Sequence, residues 1–358
     1  MVSEQQLKQH RDGIDAIDAQ ILDLLNQRAL HARAIGEIKG SGVVYRPERE
    51  AQVLRRIKTL NQGPLSGESV ARLFREVMSE CLALERPLSI AYLGPEGTFT
   101  QLAAIKHFGH AARTVACSSV DEAFRLVESR TLDYLVAPVE NSTEGAVGRT
   151  LDLMISSPLK ICGEVVLRIH HHLLRRASDT QPVRRVYAHA QALAQCHEWL
   201  NKNLPANVER VSVASNAEAA RLASQEDGTA ALAGQAAAER YQLDKIAENI
   251  EDEPNNTTRF LVLGQQGVGA TGHDKTSLVV AAPNRAGALY TMLAPIAEHG
   301  VSMTKLESRP ARTGLWEYVY FIDMEGHQSD TAVVTALQAL ENRAAFIKVL
   351  GSYPLAVI

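Results

Sequence analysis

The sequence has few of the features that mark disulfide-rich, metal-binding, nucleic-acid-binding or membrane-spanning proteins. Its 358 residues include four cysteines that are far apart and form no C-x-x-C pair, so neither a disulfide framework nor a zinc site is predicted. The formal net charge of -4 lacks the basic excess of nucleic-acid-binding proteins. No apolar run approaches the roughly 18 residues of a membrane span, and Met1 to Asp12 is too polar for a secretory signal. We therefore expect a cytoplasmic protein without nucleic-acid or membrane partners.

Hydrophobic residues make up 46% of the chain, which is enough for two or three domains with their own cores. The first segment has apolar residues at helical spacing, beginning with Ile14, Ile17 and Ile21. Three helices are predicted, at about 4–39, 47–61 and 66–85. The first would be roughly 50 Å long, more than two shorter helices can cover. A second copy of the chain is the simplest partner, so a homodimer or larger assembly is predicted.

Two further segments have other periodicities. From residue 88 to about 265, strand-like and helical stretches alternate, which predicts a two-lobed α/β domain with mostly parallel sheets. From 276 to 358 the order β-α-β-β-α-β predicts a ferredoxin-like α+β domain. Residues 265–272 read as a flexible linker. The predicted domains are therefore 1–87, 88–265 and 276–358.

Basic residues stand out in the helical segment, namely Arg11, Arg28, Lys39 and Arg49, followed by Glu50. Arg28 and Lys39 share one helix face, whereas Arg11 lies roughly 25 Å from Arg28 along the same helix. One small metabolite could touch both arginines only if Arg11 came from a partner chain. The alternative is that these are ordinary solvated charges.

This segment resembles the all-helical chorismate mutases over nearly its whole length. The resemblance implies that Arg28 and the partner's Arg11 bind the two carboxylates of chorismate. Lys39 would face the ether oxygen, Glu50 would bind the hydroxyl group, and Arg49 would help to hold the site. Cations suit a Claisen rearrangement, which needs a held conformer and stabilisation of charge developing on the ether oxygen.

Three positions depart from the family pattern. Arg46 stands where relatives often carry an acidic residue, and Cys81 replaces a serine. Glu85 stands where some carry a glutamine that donates to the ether oxygen. Glu85 can donate only when it is protonated. These departures affect the expected pH optimum and rate, not the reaction.

Two polar clusters, 138–145 and 255–260, adjoin apolar strand-like runs. Such groups at the end of a buried strand need partners or water. Each cluster alone would read as a solvated loop, but together they resemble the signature segments of prephenate dehydratase, including Thr-Arg-Phe at 258–260. Further matching stretches are 94–99, 189–191, 195–196, 215–217 and 230–234. In that family the two lobes resemble periplasmic solute-binding proteins, with the site between them.

The resemblance implies that Thr258 contacts the leaving hydroxyl of prephenate, with Glu140 as a rival acid. Asn141, Gln191, Gln195 and backbone N–H groups near Thr98 and Ser215 are candidates to hold carboxylates. Gln191 and Gln195 could equally lie on a helix surface. Arg259 is either a substrate-binding residue or a structural one.

The last segment resembles an ACT domain, a regulatory module that binds amino acids between paired copies. A glycine at a helix N-terminus, Gly287, would place backbone N–H groups against a carboxylate. The stretches 284–289 and 307–310 match the phenylalanine-binding segments of such enzymes. The predicted effector residues are Asn284, Ala286, Gly287, Ala288, Leu289, Glu307, Ser308 and Arg309.

The whole chain thus resembles the bifunctional P-proteins of phenylalanine biosynthesis, with chorismate and prephenate as substrates and phenylalanine as effector. No organic cofactor is implied, and no metal, because consecutive residues of a strand such as His170 to His172 point to opposite faces. One alternative is a non-catalytic amino-acid sensor. Another is a dehydratase whose helices serve only for dimerisation. Retention of the catalytic residues in both segments argues against these alternatives.

Overall fold

The computed structural model describes residues 4–40, 44–282, 285–311 and 318–357. The N-terminal segment forms α1 (Glu4–Lys39), α2 (Pro47–Leu60) and α3 (Gly67–Glu85), as predicted. Pro47 begins α2, where its missing N–H costs nothing. The side chain of Ser66 caps α3 by accepting from the backbone N–H of Ser69. Within the described residues we find no helix with both the length and the hydrophobicity of a membrane span.

Helix α1 leaves its apolar side uncovered. All of its residues are described and none is buried. Ten of its leucine and isoleucine side chains are at least 39% exposed: Leu7, Ile14, Ile17, Ile21, Leu22, Leu24, Leu25, Leu30, Ile35 and Ile38. An apolar surface of this extent marks an interaction site.

The middle segment has two lobes, each built on one sheet. The first contains β1 (Ser89–Leu93), α4 (Phe99–Phe108), β2 (Arg113–Cys117), α5 (Val120–Glu128), β3 (Tyr134–Asn141), β4 (Gly145–Ala146), α6 (Gly148–Ser156) and β5 (Lys160–Arg168). The second contains β6 (His172–Arg175), β7 (Arg185–Ala188), α7 (Ala190–Gln195), α8 (His197–Asn203), β8 (Glu209–Ser212), α9 (Asn216–Ala223), β9 (Thr229–Ala233), α10 (Gln235–Tyr241) and β10 (Asp244–Ala247). Strand β11 (Thr257–Gly264) then returns to the first lobe.

The prediction of mostly parallel sheets is wrong, since both sheets are mixed. The first has the order β2-β1-β3-β11-β5, in which β11 is antiparallel to both of its neighbours. The second has the order β10-β6-β9-β7-β8, with β6 antiparallel to β9 and β10. Strands β6 and β11 are antiparallel to their neighbours because each begins after the chain has crossed from the other lobe. Neither strand follows a helix that packs on its own sheet.

Two short crossing segments, 169–171 and 248–256, form the hinge between the lobes. The backbone N–H of Ile169 donates to the carbonyl of Asn256 at 2.8 Å, and that of Ile250 donates to the carbonyl of His171 at 2.9 Å. Because the two segments are bonded to each other, they act as one hinge.

The C-terminal segment is ferredoxin-like, as predicted. It comprises β12 (Asp274–Ala281), α11 (Ala288–Glu298), β13 (Met303–Pro310), β14 (Tyr318–Glu325), α12 (Thr331–Glu341) and β15 (Phe346–Pro354). The sheet order is β13-β14-β12-β15, so β13 lies at an edge. The start predicted for the third strand, Trp316, lies outside the described residues.

This small domain shares a core with the first lobe. Leu261 and Leu263 of β11 belong to the same buried cluster as Phe321 and Tyr353. A side chain at Gly351 would clash with the carbonyl oxygen of Ile161, so the glycine lets β15 lie against β5. The two domains therefore form a continuous body.

The segment 265–272 is held in place instead of forming the flexible linker that we predicted. Gln265 donates to the carbonyl of Val127 at 2.7 Å, and Gln266 donates to that of Tyr45 at 2.9 Å. Val268 is buried. Composition indicated flexibility here, but tertiary contacts determine the structure.

Helix α2 also contacts residues close to the C-terminus. On α2, Arg55 donates to the carbonyl of Leu355 at 3.3 Å, and Lys58 donates to that of Val357 at 3.2 Å. The helical segment is thereby fastened to the last residues of the C-terminal domain.

Candidate active sites

Part of the predicted mutase site lies where α1 faces α3. Lys39 Nζ is 3.4 Å from Glu85 Oε2, and Arg28 Nη1 donates to the carbonyl of Val77 at 3.5 Å. A Cβ at Gly36 would lie 2.8 Å from Glu85 Cγ, so glycine permits the close approach of this carboxylate. Cys81 is buried one turn before Glu85. The structure thus brings Lys39 and Glu85 together, with Arg28 on the same side of α1.

The other predicted mutase residues lie apart from this pair. Arg11 and Arg49 are exposed. Glu50 is directed toward α4 and is 3.5 Å from Arg75 Nη1. Burial raises the pKa of Glu50, and the charge of Arg75 opposes that rise. Within the described residues, no hydrogen bond or ion pair joins Glu50 to Lys39 or Glu85.

Two of the predicted dehydratase residues, Asn141 and Thr258, are in contact where β3 ends and β11 begins. Asn141 ends β3 and is the cross-strand partner of Thr258 on β11. Asn141 Nδ2 donates to Thr258 Oγ1 at 2.8 Å. The register slips at Val139, since Arg259 pairs with Glu140 whereas Phe260 pairs with Pro138. As direct cross-strand partners, Asn141 and Thr258 share one face of the sheet, and the bulge sets the register in which they meet.

Glu140 and Arg259 lie on the opposite face, against the C-terminal domain. Arg259 donates to Glu164 at 2.8 Å, to Asp323 at 2.6 Å and to the hydroxyl of Tyr353 at 2.8 Å. Burial opposes the charge of Arg259, but these neighbours raise its pKa. Glu140 Oε2 is 2.8 Å from Lys305 Nζ. The structure therefore does not bring the rival acid Glu140 or the candidate ligand Arg259 to the Asn141–Thr258 pair, because side chains alternate across the sheet.

A cleft of about 740 Å³ lies between the lobes, and its lining includes Thr98 and Ser215. Each of these residues caps a helix that begins at the cleft, Thr98 on α4 and Ser215 on α9. Their side chains accept from the backbone N–H groups of Gln101 and Glu218. The positive ends of two helix dipoles suit the binding of carboxylates.

Gln195 joins the second lobe to the Asn141 cluster. Its Nε2 donates to Thr143 Oγ1 at 3.1 Å, and its Oε1 accepts from Asn256 Nδ2 at 3.0 Å. Gln191 is half-buried in the first turn of α7. Our sequence reasoning did not select Thr143, Asn256 or His171. Thr143 and Asn256 lie inside the two motif clusters, which was the available signal, whereas His171 lies outside them.

The predicted effector segments lie at a helix start and at a sheet edge. Gly287 has φ of 74° and precedes α11, with Ala286 exposed, Ala288 buried and Leu289 half-buried. On β13, Glu307 and Arg309 are half-buried and Ser308 is exposed. Arg309 Nε donates to Asp152 Oδ1 on α6 at 3.0 Å. Asn284 lies outside the described residues.

Three family models match successive parts of the chain. They are chorismate mutase type II over residues 10–86, prephenate dehydratase over 90–268 and the ACT domain over 276–342.

Relatives match the full length. A protein of Neisseria gonorrhoeae named bifunctional chorismate mutase/prephenate dehydratase is 66% identical over 98% of this chain and 97% of its own. One of the same name from Aquifex aeolicus is 43% identical over 99% of both chains. Among solved structures, a prephenate dehydratase of Arthrobacter aurescens in complex with L-Phe has a TM-score of 0.69 at 34% identity, covering 75% of this chain and 90% of its own. The prephenate dehydratase of Staphylococcus aureus has a TM-score of 0.65 at 26% identity, covering 74% and 100%.

Proposed function

Because this chain belongs to the family of bifunctional chorismate mutase/prephenate dehydratases, we propose that it makes phenylpyruvate for phenylalanine biosynthesis and is inhibited by phenylalanine. It is a chorismate mutase and a prephenate dehydratase with an ACT domain. The observation that carries the proposal is the full-length match together with the Asn141–Thr258 pair where β3 ends and β11 begins. We further propose that the enzyme acts in the cytoplasm, since its relatives are biosynthetic enzymes. We keep 1–87, 88–265 and 276–358 as the proposed domain limits.

The test is an assay of the purified chain on chorismate that follows both prephenate and phenylpyruvate, with and without phenylalanine. Prephenate should form first and phenylpyruvate second, and phenylalanine should slow the second step. If phenylalanine did not change the rate at which phenylpyruvate forms, the proposed feedback inhibition would be contradicted.

For the mutase we propose that the substrate lies beside Lys39 and Glu85 and that the partner's Arg11 completes the site. Substrate carboxylates would be held by Arg28 and that Arg11. Lys39, now paired with Glu85, would turn to the ether oxygen as charge develops there. Glu50 and Arg49 would reach the substrate only if α2 rearranges, because Glu50 now pairs with Arg75.

The uncovered apolar side of α1 supports a homodimer. Ten exposed leucines and isoleucines on one helix are unfavourable in water. A second α1 lying antiparallel would cover them and bring its Arg11 to the Lys39 end of the first. Assembly beyond the dimer is compatible with the open edge of β13.

For the dehydratase we propose that prephenate enters the cleft and that the helix starts at Thr98 and Ser215 hold its carboxylates. Gln191 is a further candidate to hold them. The hydroxyl of Thr258 contacts the departing ring hydroxyl, while Asn141 orients Thr258. Loss of carbon dioxide then supplies the electrons that complete the aromatic ring.

For regulation we propose that phenylalanine binds the ACT domain, with its carboxylate at the backbone of 286–289 and contacts to 307–309. The left-handed Gly287 at the start of α11 supports this, because the first N–H groups of a helix have no partners within it. The related dehydratase solved with L-Phe also supports it. Asn284 remains part of the proposal.

A further inference from the structure

Hydrogen bonds around Asn141 fix which way its amide group faces. Backbone N–H groups of Thr143 and Glu144 donate to Asn141 Oδ1 at 3.0 Å and 3.1 Å. Backbone donors cannot be reversed, so this atom must be the oxygen. The amide nitrogen therefore faces Thr258 Oγ1 at 2.8 Å and Asn256 Oδ1 at 2.9 Å.

The orientation of Asn141 also fixes the orientation of the polar groups at the hinge. Since Asn256 Oδ1 faces Asn141, Asn256 Nδ2 must face Gln195, whose Oε1 is 3.0 Å away. His171 Nε2 also lies 3.0 Å from Gln195 Oε1, so it must carry a hydrogen. His171 Nδ1 has no hydrogen-bond partner in the described residues. Burial lowers the pKa of His171, which favours the neutral ring, and the contact with Gln195 Oε1 places its hydrogen on Nε2.

A second branch reaches Asn141 through Thr143. Gln195 Nε2 donates to Thr143 Oγ1 at 3.1 Å. Thr143 Oγ1 donates to Asn141 Oδ1 at 2.6 Å. Each hydrogen bond along both branches therefore has a defined direction, up to the bond that Thr258 Oγ1 accepts. Within the described part of the chain, Thr258 Oγ1 makes no other hydrogen bond, so its own hydrogen is free to bond to a substrate.

We propose that Thr143, Asn256 and His171 are positioning residues of the dehydratase, which act through Gln195 and Asn141 to direct the Thr258 hydroxyl hydrogen toward the departing hydroxyl of prephenate. This inference rests on the proposed role of Thr258. It also gives Gln195 an orienting role in place of the carboxylate-binding role considered from sequence. Asn256 and His171 are 1% and 2% exposed, as suits a fixed network.

With the Thr258 hydrogen directed at the departing hydroxyl, the atoms and electrons of the reaction balance. The C–O bond of the ring breaks, and the departing oxygen takes the Thr258 hydrogen to leave as water. The electron pair of the C–CO₂ bond moves into the ring as carbon dioxide leaves. The N–H of Asn141 stabilises the oxygen of Thr258 while it lacks its proton, and Thr258 regains a proton from solvent.

The network also depends on both lobes. Asn256 and His171 belong to the two crossing segments of the hinge, and Gln195 lies on the second lobe. Asn141, Thr143 and Thr258 belong to the first lobe. Opening of the cleft would separate Gln195 from Thr143, so the second lobe supports the orientation of Asn141 only when the lobes are close.

The first test compares Thr143→Val with Thr143→Ser in the full chain. Thr143 is exposed, so valine, which has a similar shape, should not affect folding. We expect Thr143→Val to lower dehydratase kcat about 10- to 100-fold with KM changed less than about twofold. Thr143→Ser should recover most of the rate, and mutase activity should not change in either variant. A wild-type kcat in Thr143→Val, or an equal loss in Thr143→Ser, would overturn the proposal.

The second test uses Asn256→Asp, with Asn255→Asp as the matched control on an exposed neighbour. Aspartate keeps an acceptor for Asn141 but presents an oxygen to Gln195 Oε1, so Gln195 must turn. We expect a loss of kcat in Asn256→Asp only, again about 10-fold or more. A parallel loss of mutase activity or melting temperature would show a merely structural role and overturn the assignment.

The third test measures the protonation of His171 directly and does not depend on catalytic turnover. Imidazole ¹⁵N chemical shifts should show His171 protonated at Nε2, with the signals assigned by their loss in His171→Gln. A ring protonated at Nδ1 would require the amide group of Gln195 to be reversed, and it would overturn the inference. If Thr258→Ala keeps its dehydratase activity, the proposed function of Thr258 fails. If Thr258→Ala is inactive but Thr143→Val is normal, only the positioning inference fails.

Discussion

Thr258 carries the hydroxyl group on which the proposed dehydration depends. Thr258→Ala should lower dehydratase kcat about 100-fold or more, because a positioned proton donor is lost. Thr258→Ser should keep partial activity, since it retains the hydroxyl. Prephenate should then accumulate from chorismate in the alanine variant, measured by separating the products. A fully active alanine variant would require another acid, and Glu140 lies on the wrong face of the sheet to supply it directly.

Glu85 should give the mutase a pH dependence that glutamine would remove. A carboxyl group donates to the ether oxygen only when protonated, whereas an amide donates at any pH. Mutase activity of the wild type should fall as the pH rises, and Glu85→Gln should flatten the profile. Glu80→Gln, an exposed change on the same helix, is the control. Identical profiles for wild type and Glu85→Gln would exclude this role.

Single residues also show what the sequence could predict of the site. The motifs located Asn141 and Thr258, which are in contact. Period-two alternation along β3 would place Asn141 on the face opposite Glu140, but only the bulge at Val139 decides which face each of them reaches. A bulge depends on pairing with β11, more than a hundred residues away, so local sequence does not reveal it.

At the scale of elements, the proposed contribution of Arg11 on α1 to the partner's site predicts that two inactive mutase variants can complement each other. Arg11→Ala and Lys39→Ala should each abolish mutase activity. Mixed dimers of the two should recover about a quarter of the wild-type rate, because half of the dimers are mixed and one of two sites in each is intact. A mixture of Arg28→Ala and Lys39→Ala should recover nothing, since both lesions belong to the same half-site. No recovery in the first mixture, with subunit exchange verified, would mean that Arg11 does not act in trans.

Strand β11 is fastened to the C-terminal domain by the ion pair of Arg259 and Asp323. Asp323→Asn should destabilise the protein by about 2–3 kcal/mol, because a mostly buried guanidinium loses a charged partner. Calorimetry should show a lower melting temperature, and Glu325→Gln, exposed on the same strand, should not. Equal melting temperatures for wild type and Asp323→Asn would mean that Glu164 alone suffices for Arg259.

Elements were predicted better than their arrangement. The helices and most strands follow from periodicity, capping and turn residues, which are local. The antiparallel entry of β11 and the anchored segment 265–272 depend on partners distant in sequence. The same is true of the packing of Glu50 against Arg75.

For the whole molecule, the shared core of the ACT domain and the first lobe decides how regulation can be tested. Deleting residues 276–358 would uncover Leu261 and Leu263, so a point change is cleaner. Gly287→Val should weaken phenylalanine binding and inhibition while sparing the uninhibited rate, because valine is strained at a φ of 74°. Gly300→Val, at a φ of 68° beyond the other end of α11, is the control.

Calorimetric titration with phenylalanine and inhibition curves would measure both effects. By linkage, prephenate should also weaken phenylalanine binding to the wild type. Undiminished binding to Gly287→Val would place the effector away from the start of α11.

The contacts between α2 and the chain end set an order of assembly during synthesis. Arg55 and Lys58 emerge from the ribosome among the first residues, yet the carbonyls that they bind lie 300 and 299 residues later. These two contacts of α2 can form only after residues 355 and 357 have been synthesised, whereas the bond of Arg75 to the carbonyl of His107 can form much earlier. A translation product that stops before residue 355 lacks both of these partners for α2. An early-translated helix thus keeps part of its binding surface unfilled while about 300 further residues are synthesised.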